Sequence, residues 1–212
     1  MATFPTYADV SQRVMDLIGQ PSGTINAFNI RNINNAVRDI LNKYPFSWNL
    51  KTADLAVTSG TADLPADWNP KWGIIDARIT GTAQLDDKQF TQISIYDRDN
   101  YSADEYVYWL TVDVANNKTI FNTISDDCTV TIYYNFIPSD MSAAADVCVV
   151  PDIEAVSYLA ASKNWVGSER DVELKREYEQ MAKQYIDALY FRDLQSGPDE
   201  VFTSLAAYNL GE

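Results

Sequence analysis

Carboxylate pairs are the residues of this 212-residue chain whose type and spacing could do chemistry. They are concentrated in the middle of the sequence, at Asp86-Asp87, Asp97 with Asp99, Asp104-Glu105 and Asp126-Asp127. A pair of carboxyl groups can supply the acid and the base for glycoside hydrolysis, and a cluster of them can bind calcium. Each pair also lies where a turn is expected, and aspartate is a common turn residue. We therefore interpret the pairs as turn residues, with glycoside hydrolysis and calcium binding as the alternatives.

The composition excludes most other catalytic and metal-binding arrangements. The chain has no histidine, which excludes Ser-His-Asp and Cys-His centres and every zinc site that needs histidine. Its two cysteines, Cys128 and Cys148, are too few for an all-cysteine zinc site, and their apolar or β-branched neighbours predict buried thiols. No glycine-rich phosphate-binding motif occurs. The sequence therefore predicts no catalytic residue, no cofactor, no metal site and no enzymatic activity.

A run of aromatic residues offers a second kind of site, a platform for sugars. It comprises Tyr101, Tyr106, Tyr108 and Trp109. In a strand, Tyr106 and Tyr108 share one face of the sheet and Trp109 lies on the other. Aromatic side chains in strands more often form the core or cross-strand pairs. We therefore favour a core or subunit-contact role and keep carbohydrate binding as the alternative.

The charge of the chain restricts its partners. A net charge of −14 argues against a surface that grips nucleic acid or docks on anionic membranes, because both need clustered Lys and Arg. Solubility is the simplest interpretation of this charge, and a surface that repels DNA is the alternative. The first residues lack the basic and apolar regions of a signal peptide, and no run of about 20 apolar residues occurs. We expect a reducing, cytoplasm-like compartment and no membrane partner.

Helical periodicity marks both ends of the sequence. A first helix is predicted over residues 6–19, and a second helix ends before Pro45, which cannot continue the hydrogen-bond ladder. We assign the asparagines of the second helix to its polar face: Asn29, Asn32, Asn34, Asn35 and Asn42. A third helix is predicted over 152–166 and a fourth from 168 to about 194. The fourth carries a coiled-coil-like apolar stripe: Leu174, Tyr178, Met181, Tyr185 and Ala188.

The middle of the sequence changes to the two-residue period of strands. Candidate strands are 52–58, 72–80, 89–96, 106–112, 118–123 and 128–137, separated by turn signals such as Ser59-Gly60 and Asn116-Asn117. The clearest alternation falls in the last of them. Short strands with tight turns predict an antiparallel sheet or a small barrel.

These elements predict an α+β fold. N- and C-terminal helices form a small helical bundle, and an antiparallel β-sheet or barrel-like subdomain is inserted between them. We assign residues 1–45 and 138–195 to the helical body, 46–137 to the β-rich subdomain and 196–212 to an extended C-terminal arm. The arm follows a Ser-Gly-Pro hinge and carries apolar residues that we predict to contact a neighbour: Val201, Phe202, Leu205, Tyr208 and Leu210. The alternative is that it packs on its own domain or frays.

Three stretches carry a resemblance to a known family. They are INAFNIRNINNAVRDILNKYPFSWNLK (25–51), LPADWNPKW (64–72) and VVPDIEAVSYLAASKNWVGSERDVELKREYEQMAKQY (149–185). Their order is a helix pair, an aromatic Phe-Ser-Trp, a β-rich insert, a helix opened by Pro-Asp and a long charged helix with tyrosines. In this order the chain resembles the head-to-tail adaptor proteins of tailed bacteriophages, also called head-completion, connector or tail tubular A-like proteins.

The resemblance implies a structural part of a virion. It implies a ring of about twelve copies beneath the portal protein, made by the helical body. The ring would join the capsid to the tail or to the next connector protein at the head–tail junction. It would continue the channel through which double-stranded DNA passes without specific binding, and the arm would reach the portal. The protein would be made in the host cytoplasm. Another tail or collar completion protein is the alternative, followed by a carbohydrate-active or carbohydrate-binding protein.

Overall fold

The computed structural model describes residues 4–19, 27–80, 88–102, 105–124, 127–164 and 169–195. Within these ranges the chain is α+β and divides into two compact units. The helical unit comprises the described residues up to 49 and from 137, and the β unit comprises those from 50 to 136. The predicted α+β class, with helices on both sides of a β-rich middle, is confirmed. The expected arm lies outside the described residues.

The helical unit contains four α-helices. They are α1 (Tyr7–Ile18), α2 (Ala27–Lys43), α3 (Ile153–Ser162) and α4 (Glu169–Gln195). Helix α1 begins at a capping box, in which the carboxylate of Asp9 accepts a hydrogen bond from the backbone N–H of Thr6 at 2.8 Å. It ends at Gly19, whose φ of 67° is left-handed and therefore favours glycine. These local signals explain why the predicted bounds of α1 are close to the observed ones.

Helix α3 is the centre of the helical unit, since α1, α2 and α4 all pack against it. None of its residues is exposed. Ala155, Ala160 and Ala161 are fully buried, and their small side chains allow the neighbouring helices to approach closely. The helix ends at Ser162 rather than at the predicted residue 166. The side-chain amide of Asn164 donates to the Ala160 carbonyl at 3.0 Å, which takes the acceptor that the next helical N–H would have used.

The asparagines of α2 correct the prediction of a polar, solvent-facing side. Asn29, Asn32 and Asn34 are all at least nine-tenths buried. Asn32 donates to the side-chain oxygen of Asn164 at 2.8 Å. Asn34 exchanges two hydrogen bonds of 3.0 Å with the backbone of Met141. The asparagines therefore connect α2 to other segments, and the periodicity placed them on the wrong face because it treats every polar residue as exposed.

The buried face of α4 also differs from the predicted stripe. Ala182, Ile186 and Leu189 are buried in the core of the helical unit. Of the predicted stripe, Tyr178 and Tyr185 pack partly against this core, whereas Ala188 is exposed. The stripe therefore lies at one edge of the buried face, because large tyrosines reach the core from the side while the small Ala182 lies directly against it.

The β unit contains seven strands in two sheets. The strands are β1 (Leu50–Val57), β2 (Thr61–Asp63), β3 (Ile74–Thr80), β4 (Thr91–Gln92), β5 (Val107–Asp113), β6 (Lys118–Thr123) and β7 (Cys128–Asn135). One sheet has the order β1-β7-β3 and the other β2-β6-β5-β4. All pairs are antiparallel except β4 with β5. Side chains of both sheets share one core, which includes Leu55, Ile79, Phe121, Val130 and Ile132.

Two strand predictions need correction. The strand expected at 89–96 shrinks to the two residues of β4, and a 3₁₀ helix over Ile95–Asn100 follows. Ser94 causes the change, since its hydroxyl accepts from the backbone N–H of Tyr96 at 3.3 Å and caps the turn. Strand β2 was not predicted, because its three residues carry no alternating pattern.

The two cysteines differ in burial. Cys148 is fully buried, as predicted, and burial raises the pKa of its thiol to about 11. Cys128 is only half-buried, so the prediction of a buried thiol is wrong there. Cys128 is the first residue of β7 and pairs with Val57, the last residue of β1, so part of its side chain stays open at the end of the two strands.

We expect Cys148 to react with thiol reagents only when the helical unit opens. The thiolate is the nucleophile, and a raised pKa leaves almost none of it at pH 8. In a Cys128→Ser variant, labelling of the single remaining thiol at pH 8, followed by mass spectrometry, should be at least about a hundredfold slower in the folded state than in denaturant. Labelling at the rate of a free cysteine would contradict the burial.

Candidate functional site

The predicted carboxylate pairs are turn residues wherever the structure describes them. Asp97 and Asp99 lie in the exposed 3₁₀ helix. The Glu105 carboxylate accepts from the backbone N–H of Ser102 at 2.8 Å, and Asp127 accepts from the N–H of Ser59 at 2.6 Å. Among the described residues, no three acidic, cysteine or histidine side chains are placed to hold a metal ion. Asp86, Asp87, Asp104 and Asp126 lie outside the described ranges.

The aromatic run does not form an open platform. Tyr108 is 3% exposed and stacks on Phe121 at 4.9 Å between ring centroids. Tyr106 meets Phe90 edge to face at 5.7 Å. The core role predicted for these two tyrosines is confirmed. Trp109 is only 9% exposed, so a sugar ring has no access to its face.

The functional candidates are therefore surfaces, and the longest of them belongs to α4. Its 27 residues extend about 40 Å, whereas the 10 residues of α3 extend only about 15 Å. Four aromatic residues hold the C-terminal half of α4, and we call them the aromatic clasp: Tyr44, Phe46, Trp48 and Tyr190. Tyr44 and Tyr190 stack at 4.1 Å, and Phe46 and Trp48 stack at 4.7 Å. The Phe-Ser-Trp stretch after α2 thus anchors the long helix.

Two carboxylates of α4 complete the clasp. Asp187 accepts from the Lys43 ammonium at 2.7 Å and from the Tyr44 hydroxyl at 2.9 Å. The hydrogen bond from Lys43, helped by that from Tyr44, lowers the pKa of Asp187 below its ordinary value. Asp193 accepts from the backbone N–H of Ser47 at 2.7 Å and also from the Ser47 hydroxyl. The clasp therefore fixes both the rotation and the register of α4 against the end of α2.

We predict that the charge of Asp187 makes a modest, pH-dependent contribution to the free energy of unfolding. Its folded pKa is lowered, so the stabilisation is complete above the ordinary carboxyl pKa of 3.8 and is lost as the pH falls toward the folded value. An Asp187→Asn variant should lose up to about 1 kcal/mol of unfolding free energy at pH 7, since the pair is about one-third exposed. Urea unfolding at pH 7 and near pH 3 should show the difference shrinking at the lower pH. An equal difference at both values would contradict the ionic role.

Two further tyrosines of α4 contact α1 and α3. The Tyr178 hydroxyl donates to the Leu17 carbonyl of α1 at 2.8 Å. Tyr158 of α3 meets Tyr178 edge to face and stacks on Tyr185 at 5.7 Å. Tyr178 and Tyr185 therefore position α4 against α1 and α3. The sequence pattern alone did not predict these contacts.

The N-terminal part of α4 extends past its supports. None of the described residues from 172 to 177 is buried, and Val172 is 47% exposed. Near the other end, Phe191 is 62% exposed and Leu194 is 50% exposed. Exposed apolar residues on a long charged helix are typical of a surface that another protein covers.

The β unit presents its own exposed apolar residues. Tyr96 is 92% exposed beside Ile95 in the 3₁₀ helix. Val112 and Val114 are 67% and 85% exposed at the turn between β5 and β6. Both groups lie in or beside the segments that connect strands. Such exposed apolar side chains take no part in the core of the β unit and are accessible to a partner.

The residues predicted to contact a portal all belong to the C-terminal arm. Val201, Phe202, Leu205, Tyr208 and Leu210 lie outside the described residues. Among the helices that the structure describes, none has both the length and the apolar character required to cross a membrane.

Comparison with known proteins gives one family. A family model described as SU10 adaptor protein matches residues 5–204, which includes both units. A search of curated proteins found no similar sequence.

Proposed function

The chain belongs to the SU10 adaptor protein family, and we propose that it is the adaptor that links the capsid of a phage to its tail. As a phage structural adaptor it works by binding other virion proteins. The family match over residues 5–204 is the observation that carries the proposal. The accessible surfaces of α4 and of the β unit support it, because they supply places for other proteins to bind.

The proposed assembly is a ring of about twelve copies beneath the portal protein. A ring needs two unlike, complementary faces on each copy. The helical unit suits the ring body, because α4 is anchored at one end by the aromatic clasp and extends beyond its supports at the other. A neighbouring copy covering that extension would bury the side chains that the isolated chain leaves open.

The ring would continue the DNA channel without gripping DNA. The chain carries 30 acidic and 16 basic residues, so a bore lined by it repels phosphates rather than binding them. Double-stranded DNA then passes without specific contacts. The location that follows is the head–tail junction of the virion, after synthesis in the host cytoplasm.

The partners follow from the two ends of such a ring. We assign the portal protein to the C-terminal arm, with Val201, Phe202, Leu205, Tyr208 and Leu210 as contacts. We assign the tail protein, or the next connector protein, to the β unit, where Tyr96 and Val114 are the most exposed apolar side chains. Apolar anchors of this kind carry most of the binding energy at interfaces.

Deleting residues 197–212 should separate folding from docking. The described core contains none of these residues, so we expect the thermal unfolding midpoint to stay within a few degrees of the full chain. We expect binding to the portal to weaken at least tenfold, measured by co-sedimentation. Aggregation or unfolding of the shortened chain would instead assign the segment to the core.

Mixing the purified chain with portal rings tests the function itself. We expect the chain to be a monomer in solution and to form rings when portal rings are added. Electron microscopy and mass measurement would show both states. Binding to a tail tube or fibre, with no affinity for the portal, would favour a tail or collar completion protein. Binding to neither would overturn the proposal.

A further inference from the structure

The outward side of α4 carries a stripe without charged side chains. Gln184 lies about 160° around the helix from the buried Ala182 and Ile186, so it marks the side that faces away from the core. From residue 180 to the end of α4, every side chain within about 40° of Gln184 is exposed and uncharged. We call these residues the uncharged stripe: Gln180, Gln184, Ala188, Phe191 and Gln195.

Charged residues surround this stripe but do not enter it. The nearest ones lie beyond its N-terminal end or at least about 60° to either side: Glu173, Arg176, Glu177, Lys183, Asp187 and Arg192. The Asp187 carboxylate is held by Lys43, and Arg192 donates to the carboxylate at the start of α3 at 2.6 Å. The stripe extends about 22 Å in a chain in which 22% of the residues are charged. A solvent-facing helix side of this length without charge is typical of a surface that another element covers.

The chain continues directly after the stripe with a segment of matching character. Residues 201–211 contain no charged side chain. Val201, Leu205 and Tyr208 are spaced by four and three residues, which puts them on one side of a helix. Such a helix would begin at a proline and end before a glycine, and both residues are favoured at these positions. The sequence therefore predicts a short helix over 198–210, outside the described residues, with one apolar side.

The lengths of the segment and of the stripe agree. A helix over 198–210 is about 18 Å long, and the stripe over 180–195 is about 22 Å long. Only Ser196 and Gly197 separate the two, and two antiparallel helices are commonly joined by a loop of this length. A turn at these residues returns the chain along the helix it has just left.

The register of this hairpin brings apolar side chains together. Residues equally distant from the turn lie opposite each other, which sets Phe202 opposite Phe191 and Leu205 opposite Ala188. Ala188 has the smallest side chain of the stripe and lies near its centre. A small residue at that position allows the close approach that packed helices need. The stripe therefore offers a seat for the apolar side of the segment.

We infer that residues 198–210 fold back as a short helix onto the uncharged stripe of their own chain. The segment covers Phe191, which is 62% exposed among the described residues, and the neighbouring Leu194, which is 50% exposed. The contact is intramolecular, so it does not depend on the proposed ring. The residues that it covers are those assigned above to the portal, and binding to the portal therefore has to release them from α4.

Hydrogen exchange of the intact chain tests the docking. Short helices are marginal in water, so a segment without a docking site exchanges its amides at the rate of an unfolded peptide. We expect the amides of residues 201–210 in the monomeric chain to exchange at least about threefold more slowly than that rate. Mass spectrometry of peptic fragments measures it. Exchange at the rate of an unfolded peptide would overturn the inference.

Ala188→Lys removes the centre of the docking site. The lysine places bulk and charge where Leu205 has to lie, so the segment should exchange at the unfolded rate. Val172→Lys is the matched control, because it adds the same side chain at an exposed position about 24 Å away along α4, and protection should remain. Circular dichroism should show both variants folded, since both positions are exposed. Equal protection in Ala188→Lys and in the wild type would mean that the segment does not lie on the stripe.

Dilution distinguishes the chain's own segment from a second copy. Intramolecular docking gives the same protection at every protein concentration. Protection that disappears on dilution, together with a dimer in sedimentation, would assign the stripe to a second copy and overturn the inference. The proposed function stands or falls separately, in the portal-binding experiment.

Discussion

Replacing Phe46 by alanine is expected to lower the free energy of unfolding by about 3–5 kcal/mol. Phe46 is fully buried at the centre of the aromatic clasp, where its ring lies 4.7 Å from Trp48 and 6.0 Å from both Tyr44 and Tyr190. Truncation removes a large apolar surface and leaves a cavity among rings that cannot collapse onto it. Because the clasp anchors α4, the variant should also lose the ability to form rings.

Phe191→Ala is the matched control for Phe46→Ala. The same atoms are removed from the same helical unit, but Phe191 is 62% exposed. We expect its unfolding free energy to change by less than about 0.5 kcal/mol. Urea unfolding followed by circular dichroism measures both variants. Equal losses in the two variants would mean that the clasp does not support the fold.

Replacing Asn34 by alanine should cost about 2–4 kcal/mol of unfolding free energy. The Asn34 side chain donates to the Met141 carbonyl and accepts from the Met141 N–H, both at 3.0 Å. Both residues are only 6% exposed. Without the amide, two backbone groups of Met141 stay buried without partners, and each lost hydrogen bond carries a desolvation penalty. Thermal unfolding or urea unfolding measures the loss.

Asn35→Ala provides the neighbouring comparison. Asn35 is half-buried and has no side-chain hydrogen bond within the part of the chain that the structure describes. Alanine is the better helix former, so this change should be neutral or stabilise by up to about 0.5 kcal/mol. Similar losses for Asn34→Ala and Asn35→Ala would show that helix propensity, rather than the bond to Met141, decides the effect.

The secondary structure was predictable wherever local signals determine it. The helical period of α1, the stop at Pro45 and the alternation of β7 mark elements that the structure contains close to their predicted positions. Two predictions were wrong for local reasons that hydrophobic periodicity does not capture. Ser94 caps a 3₁₀ turn in the predicted strand, and the Asn164 amide ends α3 early.

The burial of polar residues could not be predicted from the hydrophobic periodicity of the sequence. Asn34 is polar and helical, and only the approach of Met141, 107 residues away in sequence, makes its burial favourable. The same is true of Asp187 and Asp193, whose partners lie at and just beyond the end of α2. Long-range contacts of this kind decide which charged residues of a helix are anchors and which stay exposed.

The site itself was predicted only in outline. The absence of histidine and the turn positions of the carboxylates pointed away from catalysis, and the order of the three quoted stretches pointed to an adaptor. The residues that hold α4 were missed, because a tyrosine in an apolar stripe carries no sign of what it contacts.

Cryo-electron microscopy of the particle that contains this protein tests the adaptor function most directly. We predict a ring of copies at the head–tail junction, in contact with the portal on one side and with a tail component on the other. The helical units should form the ring body around an open DNA channel. A position elsewhere in the particle, or a density at the junction made without this chain, would contradict the adaptor function.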